Sequence, residues 1–340
     1  MATIRDVAKE CGVSVTTVSF VLNNSPRPVS AETRRRVTEI ARRMNYHPNA
    51  MARGLVQRRM NSLGVLFAQV EASIVTNAYA TGILEGVFKE AVARGYDIHL
   101  YTRPWESAEI SAPRFRNNQT DGTMIIVPGI DSDMVTGLRQ FGIPIVVVSS
   151  PTSIAGVSYV DIDNVQGAKL AAHHLLSLGH TRIAHVMGAP DQHSVFERRD
   201  AFVNTLEHAG CPVRPEYLVG DSFFGEDVIE TARRLLSLPE PPTAVFATND
   251  AIALDIMQVA REKGIAVPVD LSVIGFDNSS QAPNANPPLT TIHHPLAEIG
   301  RKATQLLLAR IENEAIEDER CIFAPQLVVR GTTSAPPTTT

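Results

Sequence analysis

The chain has 340 residues, 44% of them apolar and 20% charged, with a formal net charge of −5. That composition is globular and large enough for a small domain beside a two-lobed one. Three cysteines, Cys11, Cys211 and Cys321, are too few and too scattered for a disulfide framework or a zinc site. No uninterrupted apolar run approaches the ~18 residues of a membrane span, and the N-terminus has no apolar signal region, so a cytoplasmic protein with no membrane partner is expected.

Charge is unevenly placed. Residues 1–60 carry eleven Lys/Arg against four Asp/Glu, net +7, whereas the remainder carries 20 against 32, net −12. A segment suited to a polyanion is joined to an acidic body.

Thr3-Ile4-Arg5-Asp6 has the form of a capping box, and Ile4, Val7, Ala8 and Cys11 follow at i, i+3, i+4, i+7, which predicts an amphipathic helix. Gly12 can take the left-handed conformation that ends it, and Ser14 can cap the next helix after only Val13. On that second helix Val18, Val21 and Leu22 make one face, while Val15, Thr16, Ser19 and Phe20 lie on the other. Two helices so tightly joined form a helix-turn-helix, whose second member enters the DNA major groove. Ser30 opens a third helix in which Val37, Ile40, Ala41 and Met44 repeat the spacing, with Arg34, Arg35, Arg36, Arg42 and Arg43 outside.

Tyr46-His47-Pro48 closes the third helix, because the residue before Pro is pushed out of the helical region. Asn49 can cap a piece running to Val56, about two turns long and including Gly54. Helices below ~12 residues are marginal in water, so this hinge is expected to form only against a partner helix and DNA.

From Ser62 onward, apolar runs alternate with helical periods: "LGVLFAQV" (63–70), "DIHLYT" (97–102), "TMIIVPG" (123–129) and "IPIVVVSS" (143–150), then "RIAHVMG" (182–188), "TAVFATND" (243–250) and "LSVIGFDN" (271–278). Strands of this kind between helices predict an α/β body of parallel sheets, and two successive series predict two similar lobes. Such sheets bind ligands beyond the carboxyl ends of their strands, where Asp161, Asp163, Asn164, Asn249, Asp250, Asp277 and Asn278 collect. The expected domains are 1–48, a hinge over 49–61, a two-lobed body over 62–331 and a flexible Pro/Thr-rich tail over 332–340.

"ATIRDVAKECGVSVTTVSFVLN" and "VSAETRRRVTEIARRMNYHPNAMARGL" closely resemble the headpiece of the lactose-repressor (LacI/GalR) family of bacterial transcription regulators, and the body resembles that family's type I periplasmic-binding-protein fold. The resemblance implies a homodimer reading a pseudo-palindromic DNA operator, with affinity set by a small effector between the lobes. It carries base contacts to Val15, Thr16 and Phe20, where relatives usually have a hydrogen-bonding residue in place of Phe20. A minor-groove wedge falls on Leu55 beside Ala52, and Thr3, Ser14, Thr17, Ser19, Asn23, Arg34, Asn49 and Arg53 complete the expected DNA-binding set. Effector contacts carry over to Asn77 and Tyr79 in "NAYA", Asp163 in "DIDN", Arg198 in "FERRDAF", Asn249 in "TND" and Asp277 in "GFDN". Ser222 stands where many relatives have an aromatic, leaving open whether Phe223, Phe224 or neither substitutes. These residue types suit a sugar or another polyhydroxylated molecule. An Asp at a strand end equally serves to cap the helix that follows.

Catalytic patterns are missing: there is no Gly-x-Gly-x-x-Gly, no phosphate-binding Gly-rich loop ending in Lys-Ser/Thr and no Gly-x-Ser-x-Gly elbow. His173, His174, His180 and His185 lack a metal-binding arrangement, so neither metal nor cofactor is expected. Three functions are weighed: a transcription repressor, a solute-binding protein, which would need export, and a sugar-modifying enzyme, for which Asp161 and Asp163 could mimic an acid/base pair but lack a nucleophile.

Overall fold

The computed structural model describes residues 2–23, 27–47, 59–68, 74–117, 119–223, 226–312 and 318–337. The expected hinge, with Asn49, Ala52, Arg53 and Leu55, lies outside the described residues, as do Arg58 and Phe224. The chain divides into two compact units, residues 1–62 with 117–121 and residues 63–116 with 122–340.

In the first unit α1 (Ile4–Cys11), α2 (Val15–Leu22) and α3 (Ala31–Arg43) are each opened by a hydroxyl. Thr3 Oγ1 accepts from Asp6 N while the Asp6 carboxylate accepts from Thr3 N at 2.8 Å, completing the capping box and holding Asp6 below the usual carboxylate range. Ser14 and Ser30 accept from Thr17 N and Thr33 N at 3.0 and 3.1 Å. Gly12, at φ 64°, stops α1 in the left-handed region, where a side chain would be strained. Val7, Ala8, Cys11, Val18, Val21, Val37 and Ala41 form the buried centre, and Ile4, Leu22, Ile40 and Met44 pack around it. The periodicity had assigned these same faces inward. A core of such small side chains tolerates little loss, since each buried Val contributes about 1.5–3 kcal/mol.

The second unit holds two sheets. The first contains β1 (Ser62–Phe67), β2 (Asp97–Tyr101), β3 (Gly122–Ile126), β4 (Ile145–Val148), β5 (Ser158–Ile162) and β11 (Arg320–Phe323), ordered β11-β5-β4-β3-β1-β2. The second contains β6 (Ile183–Val186), β7 (Leu218–Val219), β8 (Ala244–Ala247), β9 (Ser272–Asp277), β10 (Thr290–His293) and β12 (Gln326–Val328), ordered β12-β10-β9-β8-β6-β7. β12 runs antiparallel to β10, whereas β6 through β10 pair in parallel. Both sheets share the 2-1-3-4-5 order of a doubly wound lobe plus an added edge strand, so each has its switch point beside its first strand.

The two successive strand series fall in separate sheets, as expected, but the helices and last strands show that the lobes are not simply consecutive halves. The chain leaves β5 through α6 (Asn164–Ser177), which packs on α7 (His193–His208) and on the second sheet, and it leaves β10 through α10 (Leu296–Ile311), which packs on α4 (Ala78–Ala93) and the first sheet. β11 then completes the first sheet and β12 the second. Three strands of chain therefore cross between the lobes. Gly86 and Gly300 bring α4 and α10 together: a Cβ on either would collide with the other helix's backbone at Ala297 or Ile83.

The tail is a second correction. Thr332 is fully buried, its Oγ1 donating to Val273 O at 2.7 Å and accepting from Thr290 N at 2.9 Å, and Ser334 N donates to Ser272 Oγ at 3.0 Å. Its Pro/Thr-rich composition predicts a flexible tail, but over residues 332–337 the Thr332 and Ser334 hydroxyls bond backbone groups of the second lobe. His180 belongs to the same network, between Thr243 Oγ1 at 2.9 Å and Ser334 O at 2.9 Å. His185 is buried, stacked on Phe246 with Nδ1 2.9 Å from Phe246 O. These histidines serve packing and hydrogen bonding.

Candidate functional site

A cavity of about 810 Å³ opens between the two lobes at the carboxyl ends of the strands. Phe67, Ile126, Val127, Ser149 and Asp161 reach it from the first sheet, and Tyr79 and Asn77 from the start of α4; Arg198 on α7, Asn249, Asp250, Asp277, Ser279 and His294 reach it from the second lobe. Strand-end backbone there is unusual: Val127, Ser149 and Asp277 have φ of 50°, 56° and 112°, a region that non-glycine residues rarely occupy. Strain of this kind persists only where surrounding structure enforces it, and it concentrates at binding sites.

Arg198 anchors the second-lobe wall. It is 7% exposed, with Nε donating to Asn164 Oδ1 at 2.9 Å and Nη1 to Thr248 O at 2.6 Å, and its guanidinium lies 3.5 Å from the centre of the Phe276 ring. Asn164 is itself held by Glu197, to which its Nδ2 donates at 2.9 Å. Two donors are thus spent on fixing the arginine, and the planar fork still fronts the cavity beside Asp161 and Asp277.

The carboxylates respond to this setting. Burial pushes Asp277 up to about 7, against the pull of Arg198, and one of its oxygens lies 3.1 Å from His294 Nδ1. Burial likewise raises Asp161 to about 7, although its Oδ1 accepts from Ile162 N at 2.7 Å. Asp250, also raised by burial to about 7, accepts from Thr291 Oγ1 at 2.5 Å and Ser279 N at 2.7 Å. Burial lowers His294 well below its ordinary value, and its Nε2 has no partner among the described residues. Tyr79 Oη is turned towards Ser149, yet neither hydroxyl has a partner of hydrogen-bonding geometry among the described residues; burial raises the phenol far above its usual range. Buried polar atoms left without partners mark where a polar ligand would bond.

Of the sequence candidates, Asn77, Tyr79, Arg198, Ser222, Phe223, Asn249 and Asp277 line this cavity. Asn77 and Asn249 also cap helices, accepting from Ala80 N at 3.0 Å and Ile252 N at 2.8 Å. Phe223 lies over Gly188, where any Cβ would collide with its ring. Asp163 is not in the wall: its Oδ1 accepts from Gln166 N at 2.8 Å as the cap of α6, and Asp161, two residues earlier, faces the cavity instead. β5 ends at Ile162, so Asp163 has left the strand and turns to the helix it caps, whereas Asp161 keeps the strand's cavity-facing side. Ser149, Asp255 and His294 were missed. Ser149 ends an apolar run like any other, and His294 follows β10, a strand too short to be legible.

The headpiece presents a second surface. Val15, 40% exposed, and Thr16 stand at the start of α2, exposed beside the Ser14 cap. Ser14 Oγ and Thr17 Oγ1 lie 2.9 Å apart, and Asn23 Nδ2 donates to Ser19 Oγ at 3.1 Å. Thr3 is committed to its capping box. Phe20 is half-buried with the Arg27 guanidinium 4.9 Å from its ring centre, and Arg34 Nη1 donates to Val21 O at 3.4 Å, near the negative end of α2.

The chain matches the family of bacterial regulatory proteins of the lacI type over residues 3–49, and a periplasmic binding protein-like domain over residues 172–333. It is 34% identical to the HTH-type transcriptional regulator DegA of Bacillus subtilis over 98% of each chain. It is 33% identical to the HTH-type transcriptional repressor PurR of Mannheimia succiniciproducens over 97% of this chain and 98% of that one. The solved complex of the transcriptional regulator CelR with cellobiose superposes with a TM-score of 0.75 at 30% identity, covering 98% of this chain and all of that one. With a helix-turn-helix headpiece, two parallel-sheet lobes and relatives matched from end to end, the chain belongs to the LacI family: it is a DNA-binding transcription regulator with an effector-binding domain.

Proposed function

We propose that this regulator is a homodimeric repressor whose operator affinity is set by a sugar, or a related polyhydroxylated metabolite, bound between the lobes. The observation that carries the effector reading is the interlobe cavity, where Arg198, Asp161 and Asp277 converge beside unpartnered hydroxyls and under the Tyr79 ring. Charged and hydroxyl groups hold neighbouring sugar hydroxyls, and an aromatic ring covers the apolar face. Cellobiose in the CelR complex is consistent with that class.

On the DNA side, Val15, Thr16 and Phe20 read base edges from α2, Arg34 meets phosphate, and Ser14, Thr17, Ser19, Asn23 and Thr3 position the headpiece. Two copies read the two halves of a pseudo-palindrome. Residues 49–56 form the hinge, with Leu55 as the wedge beside Ala52 and with Asn49 and Arg53 at the backbone. The effector acts by its different affinities for two arrangements of the lobes, which move the paired hinges together or apart.

Retardation of the regulator's own upstream DNA, measured with and without sugars that raise its melting temperature, tests this reading. Specific retardation altered by a stabilising sugar is the expected result. A protein that binds no such fragment under either condition is not this repressor.

A further inference from the structure

Six aspartates line the interlobe cavity: Asp161, Asp191, Asp221, Asp250, Asp255 and Asp277. Against them stands one cation among the described lining residues, Arg198, already bonded to Asn164 and Thr248. Asp250 can be set aside as structural, because Thr291 and Ser279 occupy its two oxygens. The others, with Asp161 and Asp277 ionised only in part near neutral pH, still leave an excess of negative charge over Arg198 facing the cavity.

A second, independent observation points the same way. His294 is 3% exposed and lines the cavity with an Nε2 that has no partner among the described residues. Its Nδ1 faces the Asp277 carboxyl: with Asp277 ionised, as above its pKa of about 7, Nδ1 carries the proton and Nε2 presents a bare lone pair. Asp255, half-buried on α9 (Asp250–Glu262), likewise presents a carboxylate without a hydrogen-bond partner among the described residues. The cavity therefore demands donors and positive charge from its occupant. A metal ion does not answer that demand, since among the described residues no three His, Cys, Asp or Glu side chains converge closely enough to hold one. An anionic effector, such as a sugar phosphate or sugar acid, would meet the aspartates with like charge.

We infer that the cleft selects a polyhydroxylated ligand bearing a protonated amine, an amino sugar in chemical class. The inference rests on the effector reading above and sharpens it. An ammonium group supplies three donors and one positive charge, which a hydroxyl cannot match. Asp255 and Asp221, on the second-lobe wall away from the committed Asp250, are the positions that confer the preference.

Calorimetric titration of the full chain with glucose, glucosamine, N-acetylglucosamine and glucosamine 6-phosphate, repeated on the galactose scaffold, tests it. On at least one scaffold the free amine is expected to bind at least about tenfold tighter than the neutral parent. N-acetylation, which removes the charge and keeps the hydroxyls, loses that gain, and phosphorylation weakens binding further. Asp255→Asn and Asp221→Asn, combined if either alone is silent, lower the amine-to-neutral affinity ratio towards one. A neutral sugar that binds as well as its amine overturns the inference while the polyhydroxylated-effector reading stands, as does a ratio unmoved by the double substitution. Failure of every member of both series to bind overturns both.

Discussion

The two walls of the cleft are built differently. The first lobe contributes Phe67, Ile126, Val127 and the Tyr79 ring, with the neutral Asn77 and Ser149 and with Asp161 among its polar groups; the second contributes Arg198, Asn249, Asp255, Asp277 and His294. One wall is mainly apolar and the other mainly charged. A ligand is therefore oriented by the second lobe, where fixed charges carry direction, and covered by the first, where area matters more than angle. This division suits an allosteric sensor. An effector biases the lobe arrangement only if it gains more from one arrangement than the other, and a ligand gripped by a single wall would gain equally from both.

The largest expected effect comes from the charged wall. Arg198→Ala should weaken effector binding on the order of 100-fold, the scale of one lost hydrogen bond to a charged group or slightly more. It also leaves Asn164 Oδ1 and Thr248 O without their donor, so a fall in stability of roughly 1–3 kcal/mol accompanies it. Operator retardation without effector should stay within about threefold, because the headpiece core is built from its own residues. Equal loss of effector and operator binding would refute the separation of sensing from reading. Asp277→Asn keeps the shape and the contact to His294 but removes a charge, and about a tenfold loss in calorimetric effector affinity is expected, well short of the arginine's. An asparagine variant with undiminished affinity would mean that the carboxylate serves the strand end alone.

The same contrast explains what could be read before any coordinates. The headpiece follows from local rules: capping box, periodic Val and Ala, and Gly12 at the stop are each decided within a few residues. The charged wall was partly legible for the same reason, since Asn249 and Asp277 end clear apolar strands and Arg198 sits in a helical motif. Asp161 and Asp163 show the limit, for both are strand-end acids and only the bounds of β5 decide which one faces the cavity. α10, β11 and β12 depend on the chain crossing between lobes, a long-range fact without a local signal, and β5, β7 and β10, with His294 after it, are too short to show a period. The tail misled for a related cause. Thr332 and Ser334 bond groups more than fifty residues away, on Val273 and Ser272.

A weaker effect, on stability, distinguishes the walls by pH. Burial raises Asp161, Asp250 and Asp277 to about 7, above the ~3.9 of an unfolded Asp. Between those values the folded chain holds protons that the unfolded chain has released, so stability falls as pH rises through about 7, by at most about 1.4 kcal/mol per pH unit per group. His185, lowered by burial to about 4, and His294, lowered also, act in the opposite sense, an effect that fades above the ~6.5 of an unfolded His. Because a variant at one carboxylate keeps those histidines, its difference from the unaltered protein between about pH 6.5 and 7.5 isolates that carboxylate. Asp161→Asn should flatten the decline of Tm across it, and a slope equal to that of the unaltered protein would remove the apolar wall's one carboxylate from this account.

The smallest effect is the most discriminating, because its two readouts should move in opposite directions. Tyr79 Oη is buried without a hydrogen-bond partner among the described residues, so Tyr79→Phe removes an unsatisfied group rather than a bond. The free protein should gain stability, by up to about 1 kcal/mol. Effector affinity should nevertheless fall by roughly three- to tenfold, the worth of a single neutral hydrogen bond that only the ligand supplies. Melting temperature and titration on one preparation decide the matter. If stability rises while affinity holds, Tyr79 acts through its ring alone and the first wall is purely a cover; if both fall, the hydroxyl already has a partner and the asymmetry between the walls is smaller than argued.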